Sequence, residues 1–247
     1  MEIGFKTDIG RVRTINEDAL LVLPKYGLFA VADGVGGRSS GEIASRKTVY
    51  NIETFFGRNP VSEADELEPE QRHTWFRAYF QRCLQSINND IRSAALRDPA
   101  LEGMATTAVV AYIKGQTLYI TNIGDSRAYL IRDGGIMQLT EDHTFVNNLV
   151  SAGTISQEEA REHPQKSMIT RALGASVGAD PDFYHYELLK GDRILLSTDG
   201  LHGEVADDEI LTAAKDSKNL NRICRQLVKM ANDRGGRDNV TVVLIEV

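Results

Sequence analysis

The chain has 247 residues, 42% of them hydrophobic and 26% charged, with a formal net charge of -7 at pH 7. That length supports a sizeable core, and nothing along it reads as an interdomain linker, so residues 1–247 are expected to form a single domain. The acidic balance argues against nonspecific nucleic-acid binding, which needs a basic face to displace counterions; no signal-like N-terminus or membrane-length apolar window is present, and a soluble cytoplasmic protein without membrane insertion is expected.

In chain order, residues 1–7 read as a strand, 10–18 as a polar turn, and 19–23 with 28–32 as paired strands joined through Pro24 and Gly27. Ser39 followed by Glu42 is a capping-box signal, and Ala44, Thr48, Ile52 and Phe55 continue it at helical spacing. Residues 57–69 read as a solvated loop. Phe76, Phe80, Cys83, Ile87 and Ile91 then mark one face of a second long helix. The two cysteines, Cys83 and Cys224, both lie in helical apolar patterns and read as small buried hydrophobes in a reducing compartment.

The period turns to β for residues 107–112, 116–123, 128–132 and 136–139, with hairpin signals at Lys114-Gly115 and Asp133-Gly134. This predicts an antiparallel meander. Residues 143–175 break the pattern, with a short amphipathic stretch near Phe145, a second capping box at Ser156 and Glu159, and His163-Pro164; they read as a mobile flap. Strands return at 183–188 and 193–197, helices at 207–215 and 220–234, and a last strand at 240–247. With helices after the first and last strand groups, two sheets covered by helices are expected, rather than alternating β-α units.

Four short acidic signatures stand out. Apolar runs stop at Asp33-Gly34 and at Asp199-Gly200, Arg237-Asp238-Asn239 precedes the last strand, and Arg13 leads to Asn16-Glu17-Asp18. Asp-Gly alone usually marks nothing but a turn, as expected for Asp133-Gly134. Together, such strand ends would collect carboxylates that are costly to desolvate without a positive partner. Asp33, Asp199 and Asp238 are therefore placed on metal, with Asp18 and Asp125 next to them. An oxygen-only set suits Mg²⁺ or Mn²⁺, and the five histidines show no zinc spacing. Two such ions sharing a carboxylate lower the pKa of a water and ready it for attack on phosphorus.

Rival phosphate chemistries fail by inspection. A thiol phosphatase loop needs arginine six residues after cysteine, where Asn89 and Met230 stand, and Glu42 replaces the lysine a P-loop would need after Gly36 to Gly41.

Seven signatures in order make the chain similar to the metal-dependent serine/threonine protein phosphatases, PPM or type 2C, in their compact bacterial form. They are Arg13 with Asn16-Glu17-Asp18, Ala32 to Gly37, Ala105 to Ala108, Gly124-Asp125-Ser126-Arg127, Ile169 to Gly174, Ser197 to Gly200, and Arg237-Asp238-Asn239. The resemblance implies an α+β, four-layer α-β-β-α sandwich of two stacked antiparallel sheets, and one phosphatase catalytic domain with a flap at 144–174. It implies two Mn²⁺ or Mg²⁺ ions, Asp33 bridging them, the Gly34 carbonyl on one, and Asp199 and Asp238 completing the other. Asp18, assisted by Glu17, would hold waters of the shell, Asp125 with Asp199 a third, weaker metal, and Arg13 the substrate phosphate. Thr107 is either a buried strand residue or a hydroxyl bonded to the ligand shell. Some relatives carry a histidine after Asp-Gly where this chain has Val35, so either a water on the metal or His143 would protonate the leaving oxygen. The expected partners are phosphorylated proteins, substrates of a serine/threonine kinase, with no nucleic acid, and the chain is expected to be a monomer. Alternatives of the same fold are a partner-switching phosphatase with one dedicated target and an inactive binding module.

Overall fold

The computed structural model describes residues 1–36 and 40–247. The strands and helices run β1 (Glu2–Asp8), β2 (Asp18–Leu23), β3 (Leu28–Val35), α1 (Ser40–Arg58), α2 (Pro69–Arg97), β4 (Ala105–Thr106), β5 (Ala108–Lys114), β6 (Thr117–Ile123), β7 (Arg127–Arg132) and β8 (Gly135–Gln138). They continue as α3 (Phe145–Ser151), α4 (Gln157–Glu162), β9 (Asp182–Glu187), β10 (Arg193–Ser197), α5 (Asp199–His202), α6 (Asp207–Lys215), α7 (Leu220–Asp233) and β11 (Val240–Glu246). The capping box expected at Ser39 and Glu42 falls on Ser39, outside the described residues.

Two antiparallel sheets form, in the orders β1-β11-β10-β7-β8 and β2-β3-β5-β6-β9, with β4 added to β3. Their stacking is written in the sequence of β11. Val243 and Ile245 enter the layer between the sheets with Phe29, Val31, Ile120 and Leu196, while Val242 and Leu244 face the other way, onto Ile223 and Leu227 of α7. A strand buried on both faces is apolar at nearly every position, with Thr241 the buried exception here, which is why the period-2 alternation is absent. On the opposite outer face, α2 packs Phe76, Phe80 and Ile87 over Tyr112 and Tyr119 of β5 and β6. Each of these fully buried side chains contributes about 1.5–3 kcal/mol by leaving water. The layering is the expected α-β-β-α sandwich. At Gly4 the approach of α7 is so close that a Cβ would lie 2.3 Å from the Leu220 carbonyl carbon.

Three expectations are corrected. The meander does not exist as one sheet: β5 pairs with β6 and β7 with β8, but β6 and β7 belong to different sheets. The chain crosses between them at Gly124, whose φ of +108° and lack of a Cβ (which would lie 2.5 Å from the Thr107 side chain) make the corner possible. Second, β3 does not stop at Ala32 but continues through Asp33 and Gly34 to Val35, exchanging β5 for β4 as its partner. Third, the loop expected at 57–69 contains a 3₁₀ turn at Val61–Glu66 that buries Ala64. Within the flap, the Ser156 and Glu159 capping box is present, at 3.2 and 2.7 Å. Isolated bridges at Thr144 with Ile169 and at Leu173 with Thr106 pin the flap's ends to the body.

Candidate metal centre

Register places the first two acids. Asp18, the first residue of β2, lies directly opposite Asp33 on β3. The backbone at Asp33 is fixed from β4 and the residue after it: its N–H donates to Thr107 Oγ1 at 3.0 Å, and its carbonyl accepts from Thr107 N and Thr106 Oγ1, both at 2.8 Å. Thr107 is fully buried, and its hydroxyl also bonds Ser126 Oγ at 2.7 Å. Thr107 is buried between β4 and β5, and its hydroxyl bonds the backbone of Asp33 rather than its carboxylate. Gly34 donates to the Glu17 carbonyl at 3.1 Å, and a Cβ there would lie 2.1 Å from the Gly41 carbonyl oxygen, so only glycine lets α1 start against β3.

The remaining acids come from the other sheet. Asp199 opens α5 directly after β10, and a Cβ on Gly200 would meet the Asn239 carbonyl at 1.9 Å, which presses the Asp199 and Asp238 turns together. Asn239 ties this pair to the first turn. Its side chain accepts the Glu17 N–H at 2.7 Å and donates to the carbonyls of Ile9 and Ile15, both at 3.0 Å. Asp125 follows the Gly124 corner, where the chain passes from sheet to sheet.

The electrostatics show that these side chains share one field. Burial, then repulsion from Asp199, Asp18, Asp125 and Asp238, pushes the Asp33 carboxyl well above the usual range. Burial pushes Asp18 up to about 7, against hydrogen bonds from Thr241 and Thr198 that favour its charged form. Asp125 is pushed up to about 8 by burial, Asp199 and Asp142, and Asp199 is raised by burial and Asp238. Asp33 and Asp199 are only half-buried by exposed area, yet the cleft is deep enough for desolvation to dominate at both.

Buried carboxylate oxygens on Asp18, Asp125, Asp199 and Glu17 have no hydrogen-bond partner. Buried acceptors are almost always satisfied, so four orphans in one cleft mark a position for a cation. The donor set is oxygen throughout, which fits Mg²⁺ or Mn²⁺. Among the described residues no three His, Cys, Asp or Glu side chains are already grouped so as to hold a metal ion. Asp238 shows this most clearly: its Oδ2 accepts from Arg13 at 2.7 Å and its Oδ1 from its own neighbour Asn239 N at 2.8 Å.

His143 sits behind the Gly124 corner with both ring nitrogens in use. It is 4% exposed, its Nδ1 accepts from Gly124 N at 3.1 Å, and its Nε2 lies 3.0 Å from Asp182 Oδ2. Both ring nitrogens are engaged, so the imidazole braces the corner that carries Asp125. Thr198 was given no role on sequence, yet its hydroxyl donates to Asp18 Oδ2 at 2.9 Å and accepts from Thr241 N at 3.0 Å. A small polar residue just before an Asp-Gly pair is the only signal that could have found it.

The sequence model of the protein phosphatase 2C family matches residues 10–244. The chain belongs to the protein phosphatase 2C family. It is 35% identical over 250 residues to the serine/threonine phosphatase stp of Listeria innocua, covering 100% of this chain and 96% of that one. The 2C architecture is shared with the serine/threonine phosphatase of S. agalactiae at a TM-score of 0.90 and 34% identity, over 100% and 99% of the two chains. It is shared too with the catalytic domain of the serine/threonine protein phosphatase PstP in complex with two manganese ions, at a TM-score of 0.85 and 34% identity, over 99% and 97%. The conserved architecture of these 2C structures, two antiparallel sheets with helices outside, is the one described above.

Proposed function

We propose that the protein is a Mn²⁺- or Mg²⁺-dependent phosphatase of phosphoserine and phosphothreonine in proteins. The observation that carries this reading is the cluster of buried, unpartnered carboxylate oxygens contributed by both sheets. The manganese pair in the PstP catalytic domain supports the same metal for this site.

In this reading Asp33, the Gly34 carbonyl, Asp199 and Asp238 would hold the two ions, and Asp125 with Asp199 would hold a third. When bound, such ions supply Lewis acidity that lowers the pKa of water and neutralises charge during in-line attack on phosphorus. Asp18, held by Thr198, and Glu17, held through Asn239, accept hydrogen bonds from water around the ions. Arg13 orients the substrate phosphate with its planar pair of donors. It lies at the mouth of the cleft, where it can leave Asp238 for a stronger anion. With Val35 after Asp-Gly and His143 fully engaged, the leaving oxygen takes its proton from water rather than from a side chain.

Residues 1–247 act as one catalytic domain, with the flap at 144–174 gating substrate. The substrates are phosphoproteins made by a serine/threonine kinase, met by a monomer in the cytoplasm. Among the described residues no helix is long and apolar enough to cross a membrane. The test is hydrolysis of a phosphothreonine peptide by purified protein. Turnover should require added Mn²⁺ or Mg²⁺, and full turnover in excess chelator would refute the reading.

A further inference from the structure

The core stripe of α2 is interrupted by an amide. Asn88 is fully buried among Phe80, Leu84, Ile87 and Ile91 on the same face of the helix. A polar group in such a place is costly to desolvate unless it is bonded at both ends. Here it is. Asn88 Oδ1 accepts from Gly174 N at 2.7 Å, and Nδ2 donates to the carbonyls of Ser176 and Val177 at 3.0 and 3.1 Å. All three partners lie where the flap's last residue rejoins the body.

Gly174 is wedged between α2 and the start of β4. Its φ is +92°, and a Cβ would lie 2.6 Å from both Ile91 Cγ2 and the Met104 carbonyl oxygen. Leu173, just before it, exchanges both backbone bonds with Thr106: Thr106 N donates to the Leu173 carbonyl at 3.0 Å and Leu173 N to the Thr106 carbonyl at 2.9 Å. Thr106 is one of the two residues of β4, lies opposite Gly34, and donates its hydroxyl to the Asp33 carbonyl at 2.8 Å. So short a strand has no stability of its own and keeps its place through its two borders, β3 on one side and Leu173 on the other. An unbroken series of bonds thus leads from Asn88 through Gly174, Leu173 and Thr106 to the backbone of Asp33 and Gly34.

We propose that Asn88 is a positioning residue of the metal centre: by fixing the end of the flap it holds β4 against β3, and with it the Asp33 carboxylate and the Gly34 carbonyl. This rests on the metal-dependent reading of the site above. Gln85, one turn earlier on α2, is the internal comparison. It accepts from Ala179 N at 2.9 Å and donates to the Val177 carbonyl at 3.3 Å, so it grips the same segment farther along the chain from Leu173.

The test measures Mn²⁺ affinity of metal-free wild type, Asn88→Ala, Asn88→Asp and Gln85→Ala by isothermal titration, beside hydrolysis of a phosphothreonine peptide. Removing a group that directly orients a metal ligand costs about 10- to 100-fold in affinity; Asn88 acts through intervening peptide groups, so Asn88→Ala should weaken Mn²⁺ about three- to tenfold. Asn88→Asp, protonated where it faces two carbonyl oxygens, keeps the shape and the acceptor for Gly174 N and should stay within about twofold of wild type. Gln85→Ala should lose stability without losing affinity. Linkage adds a test that needs no variant: a flap end that holds the ion site is itself held by the ion. In wild type, diamagnetic Mg²⁺ should slow amide exchange, read by NMR, more at Leu173 and Gly174 than at Ala179, and this comparison decides alone should Asn88→Ala not fold. Wild-type affinity in Asn88→Ala, an equal loss in Gln85→Ala or Asn88→Asp, or Mg²⁺ protection no greater at Gly174 than at Ala179 overturns the role. Wild type that binds Mn²⁺ without hydrolysing the peptide overturns the phosphatase reading and leaves Asn88 to be judged on the affinities. Wild type that binds no Mn²⁺ overturns both.

Discussion

Replacing Asp18 by asparagine should make the metal-free protein more stable. Asp18 is 7% exposed, and its carboxyl is pushed from 3.8 up to about 7 by burial and by Asp199 and Asp238. A folded-state value above the unfolded one means that the unfolded chain ionises more readily, so the group costs nothing below pH 4. The cost grows as pH rises and is complete above pH 7. At 1.36 kcal/mol per pH unit the full cost is about 4 kcal/mol. Asparagine removes the charge but keeps an oxygen for the Thr198 hydroxyl, so only the charged character of that bond is lost, about 1 kcal/mol. A net gain of about 2–4 kcal/mol is expected at pH 8 in EDTA, read as a shifted urea midpoint with unchanged slope. Wild type in EDTA should in turn gain about 3 kcal/mol from this group between pH 8 and pH 5. In Mn²⁺ the trend should reverse, because protons then compete with the ion. An asparagine variant less stable than wild type in EDTA would refute the reasoning.

Other outcomes follow from single contacts. Gly124→Ala should cost about 2–4 kcal/mol in denaturant unfolding, since alanine disfavours a φ of +108° and its Cβ would sit 2.5 Å from the Thr107 side chain. Thr107→Val should cost about 1–3 kcal/mol and weaken the stabilisation given by Mn²⁺, because the buried Asp33 N–H and Ser126 hydroxyl both lose a partner; unchanged Mn²⁺ affinity by calorimetry would count against it. His143→Ala should lower the melting temperature by leaving Gly124 N unpaired and removing one of the bonds to Asp182, but turnover in the surviving folded protein should keep the wild-type dependence on leaving-group acidity. A steeper dependence would restore His143 as an acid.

The sandwich and most of the acids were legible because each signal is local. An apolar run ending in Asp-Gly announces Asp33 and Asp199 within a few residues, and the stripe from Phe76 to Ile91 announces α2. What escaped depends on distant contacts. The strands β6 and β7 are both apolar on two faces, so nothing in their period says that they belong to different sheets; the clue was Gly124 alone. The extension of β3 through Asp33 needed β4, a strand of two residues too short to show a pattern. Thr198 finds Asp18 across 180 positions, and Arg13 finds Asp238 across 225. Neither separation leaves a trace in local composition. His143 was a candidate acid by residue type, and only its buried bonds to Gly124 and Asp182 show that it supports the fold.

The central claim is that acids from both sheets hold a pair of divalent ions on which phosphopeptide turnover depends. Isothermal titration of metal-free protein with Mn²⁺, with wild type and Asp33→Ala side by side, tests it most directly. Wild type should bind at least two ions per chain, and the variant should lose the paired sites together. Wild type that takes up no Mn²⁺, or an Asp33→Ala protein that binds as wild type does, would contradict the account.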